Sequence, residues 1–367
     1  MRTGHATLPL HWGTTPKWLF SRMVRLGRAI TQLIIAEYGS EEFLRRISDP
    51  VWFQSLGCAL GFDWHSSGLT TTVCAALKEA VKGDEENLGL YVCGGKGAVS
   101  RNTPDEIRKF SDRFGLDADR LVRASRLTAK VDSAALQDGF QVYQHVFFGT
   151  TIGTWAVVQQ GMNPDTGWAR RYHWLSIGLD DFVNEPHAGI AGDRSDKVLN
   201  MVAREAKDCR QASVTLATEH PSRVCRELSH ARYLALPEHH PILGSDMAGR
   251  YLYKRLLATY EQQPGDFAEL LLVPGVGPKT VRALALVADI VLGAKPSFRD
   301  PTTYSFAHGG KDGYPYPVDK AGYDQTIAIL EKSIRQAKLG GQEKLEALRR
   351  IELFYKEKET NDERWIQ

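Results

Sequence analysis

Three separate segments of the chain contain polar residues suited to phosphoryl chemistry, and the first holds Asp63 and His65. One residue separates them, so on an extended segment both side chains point to the same side. A carboxylate and an imidazole placed this way can bind a divalent cation such as Mn2+ or Mg2+, or orient water for attack on phosphorus. The alternative is a hydroxyl-rich N-cap for the helix that follows, built around a buried Trp64.

The second segment comprises β-branched and aromatic runs at residues 140–148, 154–160 and 170–176, separated by Gly, Asn and Pro. This pattern is typical of an antiparallel meander. Alternation along the strands predicts that Gln141, Tyr143 and His145 share one face of the first strand. It also predicts opposite faces for Gln159 and Gln160, and one side of the third strand for Arg171 and His173.

An acid, a glutamine and a cation on paired strands resemble the framework of metal-dependent nucleases, in which carboxylates bind Mg2+ or Mn2+. We therefore predict a metal site formed by Asp63, His65 and Asp138. The predicted catalytic group adds His145, Gln159, Gln160 and Arg171. The lysine usual in such enzymes is missing, because Gly161 and Met162 follow Gln160. The alternative is that these are polar residues on the solvent face of a sheet.

The third segment, residues 270–293, predicts two helices joined by the turn Gly275-Val276-Gly277. Pro278 begins the second helix and Gly293 ends it, as their conformational preferences favour. Helical spacing leaves one face of the second helix free for a partner, because the apolar residues lie on one stripe: Val281, Leu284, Ala285, Ala288, Val291 and Leu292. Free N–H groups at a helix N-terminus attract phosphate. This segment resembles a helix-hairpin-helix, which implies binding to the DNA backbone by Gly275, Val276, Gly277, Lys279, Thr280 and Arg282. The alternative is a glycine turn between two core helices.

Composition indicates a folded protein that does not span a membrane. The chain has 367 residues, 43% of them hydrophobic and 25% charged, with a formal net charge of +2. No stretch has the roughly 18 apolar residues that a membrane helix needs, and the first residues contain no apolar run, so we expect a cytoplasmic location. The five cysteines form no C-x-x-C pair, which argues against a zinc ribbon or an iron–sulfur cluster.

The order of these patterns predicts an α+β fold in three parts. We expect a mixed helical N-terminal domain (1–130), an antiparallel β-meander domain (131–240), an all-α helix-hairpin-helix domain (241–345) and a charged helical tail (346–367). Apolar spacing predicts helices over 17–37, 40–47 and 198–206, whereas residues 218–243 show no clear periodicity and are expected to be irregular.

Several strings together resemble the prokaryotic family known as domain of unknown function 763. They are LGCALGFDWHSSGLTT at 56–71, DGFQ at 138–141, WAVVQQGM at 155–162, ARRYHW at 169–174 and FAHGGKDG at 306–313. The resemblance covers nearly the whole chain, from Gly4 to about Leu339. It implies a DNA-associated protein with a helix-hairpin-helix and suspected nuclease activity in some relatives, and it assigns no catalytic residue.

A second resemblance covers only residues 270–293, which are similar to the hairpin of endonuclease III-like DNA glycosylases. In those enzymes a lysine at the place of Lys279 can attack the sugar as a Schiff-base nucleophile. They also require an aspartate about eighteen residues later, where this chain has Ser297. Asp300 comes three residues too late, and Asp319 follows only after an inserted loop.

The leading hypothesis is therefore a metal-dependent DNA nuclease that binds the backbone without sequence specificity. The alternatives are a DNA glycosylase/AP lyase using Lys279 and a non-catalytic accessory protein of DNA repair or recombination. Because such proteins often need two hairpins to straddle a duplex, the single hairpin of this chain leads us to expect a homodimer.

Overall fold

The computed structural model describes residues 8, 15–62, 67–192, 194–195, 198–231, 249–303, 331–332, 335, 345 and 347–349. The chain folds as a mixed α+β protein around an antiparallel sheet of five strands. None of the described helices has the length and apolar character that crossing a bilayer demands.

Helices form the N-terminal part of the chain. They are α1 (Lys17–Tyr38), α2 (Ser40–Ile47), α3 (Pro50–Ala59), α4 (Gly68–Val81) and the short α5 (Glu85–Leu88). The first two confirm the predictions from apolar spacing. All ten residues of α3 are buried. Its start is fixed by Asp49, whose Oδ1 accepts hydrogen bonds from the amides of Val51 (2.7 Å) and Trp52 (3.1 Å).

The main sheet has the strand order β1-β3-β4-β5-β6, with every neighbouring pair antiparallel. Its strands are β1 (Leu90–Lys96), β3 (Gln141–Thr150), β4 (Trp155–Asn163), β5 (Trp168–Leu175) and β6 (Gly189–Ala191). A small second sheet pairs β2 (Leu136–Gln137) with β7 (Leu199–Asn200). The three central strands confirm the predicted meander.

Helices cover both faces of the main sheet. Phe148 and Val158 on one face pack with apolar residues of α1 to α4. Phe147 and Val157 on the other face belong to a cluster with α6 (Thr103–Phe114), α7 (Ala118–Lys130) and the C-terminal helices. Because helices cover both sides of the sheet, most of its central polar residues, His145, Gln159, Gln160 and Arg171 among them, lie inside the protein rather than on a solvent face. The three-part division of the chain stays a prediction.

The C-terminal helices are α8 (Lys207–Ala217), α9 (Pro221–Ala231), α10 (Gly249–Gln262), α11 (Phe267–Leu272) and α12 (Pro278–Leu292). Gly293 ends α12 in the left-handed conformation (φ 67°), as predicted. The prediction of a free outer face on α12 is wrong. Its middle section, residues 283–288, is buried on every side, while Val291 and Leu292 of the predicted stripe are exposed.

Two further predictions are corrected. Residues 198–206 do not form the predicted α-helix and contain only a 3-10 turn at Arg204–Ala206, because Leu199 and Asn200 pair with β2 and the amide of Asn200 also donates to the carbonyl of Ser297 (2.8 Å). Residues 221–231, expected to be irregular, form α9, whose Val224 and Leu228 enter the core. Tertiary pairing and packing outweighed local pattern in both places.

Candidate functional site

A β-bulge in β3 separates residues that were expected to share a face. The register against β4 shifts between Val142 and Gln144, after which His145 pairs with Gln159 and Gln144 with Gln160. The hydroxyl of Tyr143 accepts a hydrogen bond from Nε2 of Gln160 (2.5 Å), on the face opposite His145. The prediction of a common face for Gln141, Tyr143 and His145 is therefore wrong, because the inserted residue changes the alternation.

His145 connects α7 to the sheet through both ring nitrogens. Its Nε2 lies 2.8 Å from Oγ of Ser125 on α7, and its Nδ1 lies 2.9 Å from Oε1 of Gln159. The amide nitrogen of Gln159 donates to the Thr128 carbonyl (3.2 Å) and to the Asp132 carboxylate. A backbone carbonyl can only accept, so the amide nitrogen faces inward and the amide oxygen faces the imidazole. Nδ1 of His145 therefore carries the proton, and Nε2 accepts a hydrogen bond from the Ser125 hydroxyl.

The imidazole of His145 is neutral at neutral pH. Burial lowers its pKa below the ordinary 6.5 and outweighs the opposing effects of Gln159 and Asp132. A neutral imidazole with an accepting Nε2 beside a hydroxyl is the state that a general base requires.

Asp132 extends the polar network beyond Gln159. It lies on a π-helical turn, Val131–Ala135, that continues α7, and turns of this kind often occur at functional sites. Besides Gln159, its buried carboxylate accepts a hydrogen bond from Nε1 of Trp174 (2.9 Å) and lies 2.5 Å from Nε2 of His187. A continuous chain of hydrogen bonds thus joins Ser125, His145, Gln159, Asp132 and His187.

A cavity of about 310 Å3 opens beside Ser125 and His145. We call it the α7 cavity, and its lining also includes Gln159, Arg101 and Arg126. Both arginines are exposed, and no hydrogen bond or ion pair joins either guanidinium to another described residue. The opening is therefore positively charged, which favours an anionic ligand.

Gln160 and Arg171 lie across the sheet from His145. Arg171, fully buried, donates from Nη1 to Oε1 of Gln54 (3.0 Å) and from Nε to Nε2 of His173 (2.9 Å). Burial lowers the pKa of Arg171 to about 9, and burial together with Arg171 holds the pKa of His173 well below 6.5. Gln160 donates from Nε2 to the carbonyl of Ser67 (2.8 Å). These side chains join the sheet to α3 and α4 and do not line the α7 cavity.

Asp138 belongs to a separate buried network. Its Oδ2 accepts hydrogen bonds from Nη1 of Arg170 (2.9 Å) and from the hydroxyl of Tyr172 (2.8 Å). Nη2 of Arg170 also binds Asp300 (2.8 Å), so two carboxylates flank one guanidinium. Burial raises the pKa of Asp138, although Arg170 opposes the shift. The structure thus gives Asp138 two tightly bound donors and does not bring it to His145.

The turn between α11 and α12 is exposed on one side and is held on the other by hydrogen bonds from Lys130 and Gln137. Pro274, Gly275, Pro278 and Lys279 are exposed, whereas Val276 is buried. Nζ of Lys130, the last residue of α7, donates to the carbonyl of Val276 at 2.5 Å. Gln137 supports the other side, because its Nε2 donates to the carbonyl of Pro278 (2.9 Å) and its Oε1 accepts from Nε of Arg282 (3.0 Å).

The predicted DNA-binding residues therefore divide into two groups. Lys279 and the glycines of the turn are accessible, while Thr280 is buried and Arg282 is partly engaged with Gln137. The positions considered for a glycosylase aspartate have other contacts: Ser297 donates to Glu205 (2.7 Å), and Asp300 binds Arg170. Asp319 lies outside the described residues.

Asp63 and His65, the other predicted metal ligands, also lie outside the described residues. Within the described ranges, no group of three or more His, Cys, Asp and Glu side chains is arranged to hold a metal ion.

Sequence analysis missed Ser125, Asp132, His187, Lys130 and Gln137. One signal was available for two of them, because Ser125 and Asp132 are seven residues apart, which is about two helical turns and hence one side of a helix.

The chain belongs to the family described as "protein of unknown function (DUF763)", whose model matches residues 4–318. No curated protein and no solved structure matches it.

Proposed function

We propose that the chain binds the DNA backbone through the exposed α11–α12 turn and hydrolyses phosphodiester bonds in the α7 cavity. The observation that supports this proposal is that α7 contacts both places. Lys130 at its end binds the turn, and Ser125 and Arg126 line the cavity. Lys130 follows Ser125 by five residues, a rise of about 7.5 Å and a rotation of about 140° along a helix, so the turn and the cavity lie near each other on different sides of α7.

The turn has the features that phosphate binding requires. The first turn of α12 has backbone N–H groups without partners inside the helix, and the helix dipole places partial positive charge there. Lys279 adds an exposed cation, and the guanidinium of Arg255 lies against Gly275. These contacts are directed at phosphate rather than at bases, which predicts binding with little sequence preference and strong salt dependence.

The α7 cavity has the features that phosphodiester hydrolysis requires. Arg101 and Arg126 at its opening can bind the phosphate oxygens and stabilise the charge that grows on them in the transition state. His145, neutral and hydrogen-bonded to a hydroxyl, can accept the proton of a nucleophile.

The proposal includes a divalent cation, Mn2+ or Mg2+, for which Asp63 and His65 are the remaining proposed ligands. Asp138 is removed from the proposed ligand set because Arg170 and Tyr172 already bind its carboxylate.

The proposed assembly is a homodimer that places two turns on one duplex, which sedimentation at several protein concentrations would test.

The experiment incubates the full chain with labelled single- and double-stranded DNA in Mn2+, in Mg2+ and in chelator. We expect cleavage in at least one condition, and a loss of about 100-fold or more in rate for His145→Gln with DNA affinity retained. Binding without cleavage in every condition would leave only the accessory-protein alternative, and no binding at low salt would overturn the proposal. A borohydride-trapped adduct on abasic DNA that Lys279→Ala abolishes would identify the lyase instead.

A further inference from the structure

We propose that Ser125 is a covalent nucleophile, activated by His145, and that the phosphoryl group is transferred to its Oγ before water releases it. The choice of DNA as substrate depends on the function proposed above. The reactivity of Ser125 depends only on its surroundings in the α7 cavity.

The first support is the geometry of the hydroxyl. Oγ of Ser125 lies 2.8 Å from Nε2 of His145, within the range found between nucleophile and base in hydroxyl-dependent hydrolases. The fixed amide of Gln159 places the imidazole proton on Nδ1, so Nε2 has its lone pair directed at the Ser125 hydroxyl. Ser125 itself is buried except where it lines the α7 cavity.

The second support is the chain of hydrogen-bonded groups, Gln159 and then Asp132, on the side of His145 away from Ser125. In activated-nucleophile sites a third group orients the imidazole and stabilises its protonated form. Here Gln159 provides the orientation, and the Asp132 carboxylate behind it polarises the amide toward His145. Asp132 is in turn bound by Trp174 and His187, so each group in the chain has a fixed position.

The third support is the charge beside the hydroxyl. Arg126 follows Ser125 directly, and both it and Arg101 line the same cavity without an ion pair to any described carboxylate. A phosphoryl group attacked by Oγ gains negative charge on its oxygens, which two guanidinium groups stabilise. The cavity therefore fits a phosphate ester better than a neutral ester.

The reaction then has two balanced steps. In the first, Oγ of Ser125 bonds to phosphorus while its proton moves to Nε2 of His145, the bond from phosphorus to the leaving sugar oxygen breaks, and that oxygen takes the proton from Nε2. In the second, water gives a proton to Nε2 and its oxygen bonds to phosphorus, the Oγ–phosphorus bond breaks, and Oγ recovers the proton. The net reaction consumes one water and yields a phosphomonoester and an alcohol.

The first test treats the folded chain with a fluorophosphonate, whose phosphonyl group bonds to an activated hydroxyl as fluoride leaves and the hydroxyl proton is lost. We expect one label per chain, located on Ser125 by peptide mass, and a fall of about 100-fold or more in labelling rate in His145→Gln. Ser213, a buried serine of α8 outside the cavity, provides the matched control, because Ser213→Ala should be labelled at the wild-type rate. A folded wild-type chain that is not labelled at Ser125 would overturn the proposal.

The second test quenches the DNA reaction in denaturant and looks for label covalently attached to the protein. An adduct that Ser125→Ala abolishes supports the proposal. Cleavage at the wild-type rate by Ser125→Ala, with no adduct, would overturn the proposal and leave the nuclease function standing. If fluorophosphonate labels Ser125 but DNA stays intact in every condition, the nucleophile proposal stands and the nuclease function is overturned. Thermal unfolding of Ser125→Ala shows whether the variant is folded. If the variant does not fold, the fluorophosphonate labelling of the wild-type chain tests the proposal instead.

Discussion

The side-chain amine of Lys130 donates a hydrogen bond to the carbonyl oxygen of Val276, 146 positions further along the chain. Lys130 ends the helix that contains Ser125, and Val276 is the centre of the α11–α12 turn. Partial burial lowers the pKa of this lysine, because the interior disfavours its charged form. The proposed DNA-binding turn and the proposed catalytic cavity are thus joined by one hydrogen bond.

We expect Gly275→Ala and Gly277→Ala to have different effects. Gly275 has φ +86° and an added Cβ would lie 2.1 Å from Nη1 of Arg255, so its substitution should lower the free energy of unfolding by about 1–3 kcal/mol. Gly277 has φ −150° and open space around it, so its substitution should change stability by about 0.5 kcal/mol or less. Gly277→Ala should still weaken DNA binding, because the methyl group hinders close approach of phosphate. Urea unfolding and DNA titration measure the two effects, and equal destabilisation would contradict this account.

Lys130→Met should loosen the turn while leaving α7 helical. The substitution removes a charged donor from the Val276 carbonyl. We expect the free energy of unfolding to fall by about 1 kcal/mol, which is below the usual contribution of a charged hydrogen bond because Lys130 is only half-buried. Faster amide hydrogen exchange at the α11–α12 turn would locate the change. Lys109→Met, at an exposed position of α6, is the control and should leave that exchange unaltered.

Lys279→Ala should weaken DNA binding without altering the fold, because this lysine is exposed in the first turn of α12. Removing one phosphate contact should reduce the slope of log affinity against log salt concentration by about one. Lys109→Ala provides a control of equal charge change. Fluorescence anisotropy at four salt concentrations measures both slopes, and identical slopes in the two variants would count against the proposed DNA surface.

Asp138→Asn should destabilise the chain in the presence and in the absence of metal. Asp138 shares the fully buried Arg170 with Asp300, so the substitution removes one charged hydrogen bond rather than the whole charge partner and should cost about 2 kcal/mol. Asp165→Asn, on an exposed turn, should cost about 0.5 kcal/mol or less. Chemical unfolding with and without Mn2+ measures the difference. A variant that keeps wild-type stability but loses metal binding would restore the metal-ligand hypothesis for Asp138.

Stability should fall as the pH drops below about 6.5. Burial depresses the pKa of His173 in the folded chain, so the unfolded chain takes up a proton at this residue first and is favoured as the pH decreases. One such histidine contributes a slope of about 1.4 kcal/mol per pH unit below 6.5. His173→Gln keeps an acceptor for Arg171 but cannot titrate, so its stability should depend less steeply on pH. Urea unfolding at pH 7.5, 6.5 and 5.5 compares the slopes, and parallel slopes would contradict the assigned pKa.

Local patterns in the sequence were sufficient to predict much of the fold. Helices α1 and α2, the three central strands and the ends of α12 follow from apolar spacing, turn residues and the preferences of Pro278 and Gly293. Each of these signals lies within a few residues of the element it defines.

The partners of the polar residues could not be predicted in the same way. His145 meets Ser125, and Asp138 meets Arg170 and, through it, Asp300, only after the strands and helices have packed. The bulge in β3 also reversed the face of Tyr143, which strict alternation cannot anticipate. Residues that appeared to line a solvent face are instead neutralised or hydrogen-bonded inside the protein.

Helix α7 also fixes the distance between the proposed catalytic cavity at Ser125 and the contact of Lys130 with the turn. Ser125 and Lys130 are separated by a rise of about 7.5 Å along this one helix. Under the proposed function, the cut should therefore fall at a constant distance from the anchored nucleotide, whatever the base sequence between them.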